Sequence, residues 1–300
     1  MATNKRIMDS RPCPRPIIEA MQELVDDLNR RRNSSESKKL ARVETGFSDL
    51  DRHTSGMRPG SLIVIASRPS MGKSTFALNI ASHVALNAKL PVLMFSMELS
   101  AIAIASKLLS KVGKIETWKL RTGDLDETDR RNLDAAKGKL EDVPLIVDET
   151  TALSTEEIIA KSQHIIAQNG KLGLIVIDYL QLMEPFSSDE GNNDSYEEVM
   201  YALKALARET DTPIILLSQL NRKLEKRRNK RPRMSDLPAR EIGQYADLLM
   251  FIYRDEYYNL HSEYKGLAEV IICRHRYGSV GMLFLGAMKL KFSKFSDYEP

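Results

Sequence analysis

Apolar residues along this chain follow two rhythms. Short unbroken runs rich in Val, Ile and Leu recur at 62–66, 92–96, 145–147, 174–177, 214–217, 248–252 and 268–272. Runs without alternation are the pattern of strands buried on both faces. Between them lie stretches whose apolar positions are three and four apart, the pattern of helices covering a core. Strands alternating with helices call for crossover connections. The expected fold is therefore α/β, a mostly parallel central sheet flanked by helices, over a main domain at 40–300. The longest polar gaps, 187–195 and 222–240, follow strands, where open α/β sheets place their ligands. No internal repeat is visible.

The chain begins differently. Residues 1–16 carry three prolines and scattered charge, and read as a flexible leader. From 17 to 32 the rhythm turns helical, with Ile17, Ile18, Met21, Leu24, Val25 and Leu28 on one face and Glu19, Glu23, Asp26 and Asp27 on the other. Residues 33–39 are a polar linker, so 17–39 is expected to be an arm helix and its tether. An isolated helix of this length is marginal in water, so its apolar stripe needs a surface, on its own domain or on a neighbouring subunit.

Composition narrows the class without naming it. The hydrophobic fraction of 42% is that of a globular chain, and a net charge of +3 says little until its distribution is known. Cys13 and Cys273 are too few for a disulfide framework and lack metal-ligand spacing. No apolar run approaches the length needed to span a bilayer, and the N-terminus lacks the apolar core of a signal peptide. The expectation is a cytoplasmic protein with no membrane partner.

The chemistry begins where the first strand runs out. Ser67-Arg68-Pro69-Ser70-Met71-Gly72-Lys73-Ser74-Thr75 joins a strand to a helix through small residues. Backbone N–H groups at a helix N-terminus, a lysine and a hydroxyl suited to Mg²⁺ are what a phosphate-binding loop requires. The usual pattern G-x-x-x-x-G-K-[ST] is met except at its first position, where Ser67 replaces glycine. A second strand delivers Asp178 at its end, placed to share a metal ion with Ser74. Glu98 ends another strand, either to polarise an attacking water or as an ordinary helix-start carboxylate. Gln219 ends a third and could hydrogen-bond a γ-phosphate. Together these residues point to ATP and Mg²⁺ as ligands.

These stretches, with TGFSDLDRHTSG, KLRTGDL, GLIVIDYLQLM, SQLNRKLEKRRNKRPRMSDL and ADLLMFIYRDEYYN, resemble the DnaB-type replicative DNA helicases and their RecA-like motor domain, in family order over residues 45–285. The resemblance implies that Lys73 and Ser74 hold phosphates and Mg²⁺, that Glu98 is the catalytic base, and that Gln219 senses the γ-phosphate. It also implies that Arg276 is a finger reaching the neighbouring subunit's ATP, with Arg274 where the family usually has lysine. The implied function is an ATP-hydrolysing, ring-forming motor, a hexamer by resemblance, moving 5′ to 3′ on single-stranded DNA with a replication initiator or helicase loader as possible partner. The arm resembles the family's linker helix, which docks on the adjacent subunit.

Three stretches depart from the family. The usual N-terminal helical domain has no counterpart in these 300 residues. The DNA-contacting loop reads MSDLPAREIGQYAD, keeping Arg240 and Glu241 but shortening the glycine turn behind them, and the residues after 281 follow the family poorly. The segment from Arg222 to Arg233 carries eight basic residues against one acidic. That density is an electrostatic footprint for a phosphate backbone, with Arg222, Lys223, Arg227, Arg228, Lys230 and Arg231 as candidates, although few aromatics lie near in sequence to stack bases. An alternative function follows from these departures: a truncated paralogue that binds ATP and DNA as an accessory module without unwinding.

Overall fold

All seven expected strands form: β1 (Leu62–Ser67), β2 (Val92–Ser96), β3 (Leu145–Asp148), β4 (Leu174–Asp178), β5 (Ile214–Gln219), β6 (Leu248–Tyr253) and β7 (Ala268–His275). They belong to one computed structural model that describes residues 16–19, 21–22, 25–26, 29, 42–183, 194–289 and 294–297. Two further strands, β8 (Gly281–Lys289) and β9 (Lys294–Asp297), complete a sheet in the order β3-β2-β4-β5-β1-β6-β7-β8-β9. Pairing is parallel from β3 through β6 and antiparallel from β6 through β9. The mostly parallel sheet is as expected. The antiparallel extension past β7 is not among the expected strands. β8 does carry an apolar run, Met282-Leu283-Phe284-Leu285, but it follows β7 with no helical stretch between them, outside the strand–helix alternation, and the short β9 mixes charged and apolar residues.

Helices α1 (Ser48–Thr54), α2 (Lys73–Leu86), α3 (Ala101–Gly113), α4 (Thr117–Thr122), α5 (Glu127–Leu140), α6 (Thr155–Asn169), α7 (Asp194–Glu209) and α8 (Arg240–Tyr245) connect the strands. Their starts are locally encoded. Ser100 accepts from the Ala103 N–H at the head of α3, and Asp126 and Ser154 form reciprocal capping boxes with Asp129 and Glu157. The strands are fully buried from β1 to β6 except β3 and the end of β5. Successive residues point to opposite faces, so Ile63, Ile65, Val176 and Ile215 pack under Phe76, Ile80 and Val84 of α2. Leu62, Val64, Ile175 and Leu216 pack on the other face against Ile158 of α6 and Met200, Leu203 and Leu206 of α7.

Residues 1–15 of the leader, Cys13 among them, the linker 33–39 and residues 187–193 of the polar gap lie outside the described residues. Of the arm, residues 17–19, 21–22, 25–26 and 29 are helical. Ile17, Ile18, Met21 and Val25 are each more than half exposed, so the described part of the apolar stripe is not covered by this chain's own domain. Among the described residues no helix is long and apolar enough to cross a membrane. Cys273 is a free thiol, half-buried, whose pKa burial pushes up.

Candidate active site

The sheet brings its chemistry together at one edge. β1, β2, β4 and β5 are parallel and in register, with Ser67 beside Gln219 and Ser96 beside Asp178, so their C-terminal ends open on a common cleft. A cleft of 370 Å³ is lined there by Ser67, Arg68, Pro69, Ser70, Gly72, Lys73, Ser74, Thr75, Glu98 and Gln219, with Lys107 and Tyr179 closing it. Residues from five places in the sequence therefore surround one volume.

The loop from Ser67 to Gly72 is shaped by two left-handed residues, Ser70 at φ 66° and Gly72 at φ 96°. Glycine adopts that conformation freely, whereas serine does so at a cost, and such strain collects at ligand-binding turns. Alternating right- and left-handed residues turn consecutive N–H groups inward, and α2 begins at Lys73 with its positive dipole end facing the same space. Ser67 occupies the position where glycine is usual, buried, with its hydroxyl donating to the Arg68 carbonyl at 2.9 Å. Met71 turns its side chain into the core and gives the loop only backbone. Arg68 likewise spends its guanidinium inside the chain, donating from Nε to Glu225 at 2.8 Å and to the Leu220 carbonyl at 2.7 Å. Its contribution to the cleft is therefore main-chain.

Charge in the cleft is held under tension. Burial pushes the Lys73 ammonium below its ordinary value, and the carboxylates of Asp178 and Glu98 pull it back up. Nζ of Lys73 lies 4.1 Å from the centre of the Tyr179 ring. Asp178 is fully buried, and burial raises its pKa against the opposing pull of Lys73. Neither oxygen of Asp178 has a hydrogen bond of good geometry, although the Ser74 hydroxyl is near enough to favour the charged form. A buried carboxylate short of partners, beside a serine hydroxyl and a phosphate-shaped loop, is a donor set that fits a hard divalent cation such as Mg²⁺. Glu98 is exposed, lines the cleft and is near enough to Asp178 for its charge to raise the Asp178 pKa further.

Lys107 and Tyr179, which line the cleft, and Gln181 beside it have no counterpart among the sequence candidates. Gln181 accepts from the Gln219 N–H at 3.0 Å and donates to the Ser218 hydroxyl at 3.0 Å, gripping the end of β5 beside the cleft. It stands in the stretch IDYLQLM, but a neutral side chain among apolar neighbours carries no chemical signal of its own.

Arg274 and Arg276 are elsewhere. β7 runs antiparallel to β6, with His275 opposite Leu248, so Arg276 lies level with the start of β1. The phosphate loop follows the end of β1. At ~3.3 Å per residue the two edges are about 17 Å apart. Arg276 pairs with Asp247 through Nε at 2.9 Å and lines a larger cleft of 1020 Å³, with Tyr201, Lys204, Arg208, Gln244, Tyr245 and Tyr277. That second cleft holds none of the phosphate-loop residues. Arg274 sits within β7, half-buried, opposite Leu249 of β6.

The basic segment divides in two. Arg227 is bound to both oxygens of Asp236, at 2.9 and 2.8 Å, and Arg231 is forked onto the buried Glu269 at 2.7 Å in both contacts. These two candidates are engaged within the chain. Arg222, Lys223, Arg228 and Arg240 are exposed, Lys230 and Glu241 half-buried. The fold also supplies the aromatics that the local sequence lacks: Lys230 lies 5.5 Å from the Tyr258 ring and Arg231 5.2 Å from that of Tyr253, while Tyr257 packs edge-on to Tyr258 and is 53% exposed. Asn221, two residues after Gln219, donates from its side-chain amide to the Leu237 carbonyl and from its N–H to the Asp236 carbonyl, tying the end of β5 to the turn before α8.

Comparison with known proteins agrees with this geometry. A family model described as DnaB-like helicase C terminal domain matches residues 42–297. The replicative DNA helicase DnaB of Pasteurella multocida (strain Pm70) is 39% identical over 299 residues, covering 99% of this chain and 64% of that protein. The DnaB of Geobacillus stearothermophilus is 43% identical over 259 residues, covering 86% and 57%. The chain thus spans less than two thirds of the length of these relatives. Among solved structures, one described as an ATPase domain superposes with a TM-score of 0.88 at 32% identity, covering 96% of this chain and all of that one. A DnaB-like replicative helicase, described with its interactions with primase, gives 0.85 at 32%, covering 96% and 68%. The RadB recombinase, at 0.56 and 16% identity, covers 86% and 100% and shares the fold alone.

Proposed function

We propose, on the premise that this chain belongs to the family of DnaB-like helicase C-terminal domains, that it is the ATP-hydrolysing motor of a ring-shaped helicase moving on single-stranded DNA. The observation that carries the proposal is the division between the sheet's two edges. Lys73, Ser74, Glu98 and Gln219 line one cleft, with Asp178 buried beside Ser74 and Lys73, while Arg276 stands about 17 Å away at the opposite edge and cannot serve it. Subunits arranged head to tail would bring one molecule's Arg276 to the next molecule's phosphates, and a head-to-tail contact that closes makes a ring. The uncovered stripe of Ile17, Ile18, Met21 and Val25 supports the same assembly, with the arm seated on a neighbour.

Within the cleft each residue has a task its position allows. Loop N–H groups and Lys73 cradle the phosphates, and the helix α2 dipole favours their charge. Ser74 and Asp178 would hold Mg²⁺, whose chemistry when bound is to neutralise charge on the terminal phosphates. Glu98, exposed in the cleft lining, accepts a proton from or orients the attacking water. Gln219 reaches toward the terminal phosphate from the end of β5. Its neighbour Asn221 is bonded to the turn that leads to Arg240, so a shift at Gln219 is carried to the exposed cations that would grip DNA. Arg222, Lys223, Arg228 and Arg240, with the half-buried Lys230 beside them, form that grip, and a hexamer, 5′-to-3′ travel, a cytoplasmic setting and a loader as partner complete the proposal.

ATP turnover measured against protein concentration, with and without single-stranded DNA, tests it. Wild type should show cooperative, DNA-stimulated turnover, and Arg276→Ala should lose on the order of 10³ in rate. Flat turnover that ignores both DNA and the substitution would leave only a nucleotide-binding accessory protein.

A further inference from the structure

Reading Arg276 as a finger leaves open what aims it. Asp247, the residue before β6, is 2% exposed and bonds in several directions at once. Its Oδ2 accepts from the Leu62 N–H at 2.8 Å and from the Lys204 ammonium. Its Oδ1 forms an ion pair with Nε of Arg276 at 2.9 Å, a charge contact without the alignment of a good hydrogen bond. Its backbone is equally committed: the Asp247 N–H donates to the Leu62 carbonyl and the Arg276 N–H donates to the Asp247 carbonyl, both at 2.8 Å. Lys204 also donates to the Gly60 carbonyl at 2.9 Å. The root and the side chain of Arg276 are thus fastened to a single buried residue, which is itself fastened to the first residue of β1.

We propose that Asp247 is the positioning residue of Arg276, holding its guanidinium where the two terminal nitrogens face an incoming phosphate. This rests on the finger reading above. Pairing through Nε leaves both terminal nitrogens without another partner among the described residues, at the wall of the 1020 Å³ cleft. One carboxylate against the two cations Lys204 and Arg276 leaves a net positive charge there, so the finger is oriented without being neutralised. A guanidinium shared between two anions has geometry that a single ammonium cannot copy. A misplacement of ~1 Å in a group acting on the transition state costs up to ~10²-fold, which is the scale of effect that loss of the anchor should have.

Mixed rings separate this role from a merely structural one. Subunits carrying Lys73→Ala have a dead site of their own but still offer a finger to the next subunit. Wild type is titrated with Lys73→Ala, with Lys73→Ala/Arg276→Ala, or with Lys73→Ala/Asp247→Asn, incorporation being followed by native mass spectrometry. The Asp247→Asn double variant should depress turnover below the Lys73→Ala titration and approach the Arg276→Ala double, with KM for ATP unchanged. In homogeneous Asp247→Asn rings kcat should fall roughly ten- to hundredfold. If the Asp247→Asn double matches Lys73→Ala while the Arg276→Ala double falls lower, Asp247 does not position the finger and the proposal is overturned. If neither double differs from Lys73→Ala, the finger reading itself is lost. Should Asp247→Asn subunits fail to enter rings, Lys73→Ala/Arg276→Lys replaces them: a titration as deep as that of Arg276→Ala supports the two-sided role, and one equal to Lys73→Ala overturns it.

Discussion

The two edges of the same sheet treat a buried aspartate in opposite ways. Asp178, at the C-terminal edge, is fully buried with neither oxygen well bonded, and the nearby Lys73 is itself short of water. Asp247, at the other edge, is as deeply buried, yet it collects a backbone N–H and two cations. Leaving a buried carboxylate short of partners costs several kcal/mol, so a fold keeps one only where something arrives to complete it. The C-terminal edge is unfinished without a ligand. The opposite edge is finished, and what it offers a neighbour is a firmly held direction.

The strongest way to break this comparison is to remove one cation from each edge. Lys73→Ala should cost on the order of 10³ in turnover and also weaken nucleotide binding to the isolated subunit. Arg276→Ala should cost a similar factor in turnover while the isolated subunit binds a fluorescent ATP analogue within about threefold of wild type. Equal damage to binding from both would mean that the two edges serve one site in the same molecule, contrary to the register of β1, β6 and β7.

A smaller effect tests whether a buried cation without a carboxylate always marks a site. Lys111, on α3, donates to the Ser82 hydroxyl and to the Asn79 carbonyl at 3.3 Å, both neutral acceptors on α2. Burial, with the charge of Lys294 adding to it, lowers its pKa from 10.5 to about 8. Between those values the unfolded chain holds the proton and the folded chain releases it, so stability should rise with pH from about 8 to 10.5 and carry the full penalty below 8. That penalty is up to about 3 kcal/mol. Lys111→Met should therefore raise Tm at pH 7 and lose its advantage by pH 10, with turnover untouched. A lower Tm at both pH values would show that the two hydrogen bonds outweigh desolvation.

The sequence made the unfinished edge legible and hid the finished one. Unbroken apolar runs leading to Asp178 and Gln219, and to Glu98 two residues past the end of β2, announce their strands, because a strand buried on both faces has no alternative composition, and a polar residue closing such a run stands out whether charged or not. Lys73 and Ser74 are readable because phosphate binding demands them next to each other. Asp247, Lys204 and Leu62 lie far apart in the chain and meet only through the order β5-β1-β6-β7, which no local pattern specifies. Gln181 was hidden for a different reason, being one neutral amide among apolar neighbours. β8, although its run Met282-Leu283-Phe284-Leu285 is apolar, escaped because it follows β7 without the intervening helix that marks the parallel strands, β9 because it is short and mixes charge with apolar residues, and the aromatics beside the basic segment come from another strand end. The density of charge from Arg222 to Arg233 was plain, but its division into paired and unpaired members depends on Asp236 and Glu269, the latter 38 residues from Arg231.

That division gives the mildest and most specific test. Arg228 is exposed, whereas Arg231 is held by both oxygens of Glu269, a side chain 1% exposed. If exposed cations meet the DNA backbone, removing one cation from its phosphate should reduce the slope of log affinity against log salt by about 0.7 on single strands. Arg228→Ala should show that shift, bind less tightly at low salt by roughly tenfold or less, and melt as wild type does. Arg231→Ala should do the reverse, since removing it strands a buried carboxylate and lowers Tm while the slope stays nearly fixed. Fluorescence anisotropy with labelled oligothymidylate across a salt series, beside a thermal melt of each variant, reads both quantities. A slope that drops for Arg231→Ala and not for Arg228→Ala would reverse the assignment and place the DNA against the tyrosines beside Arg231, with base stacking in place of the exposed rim as the grip.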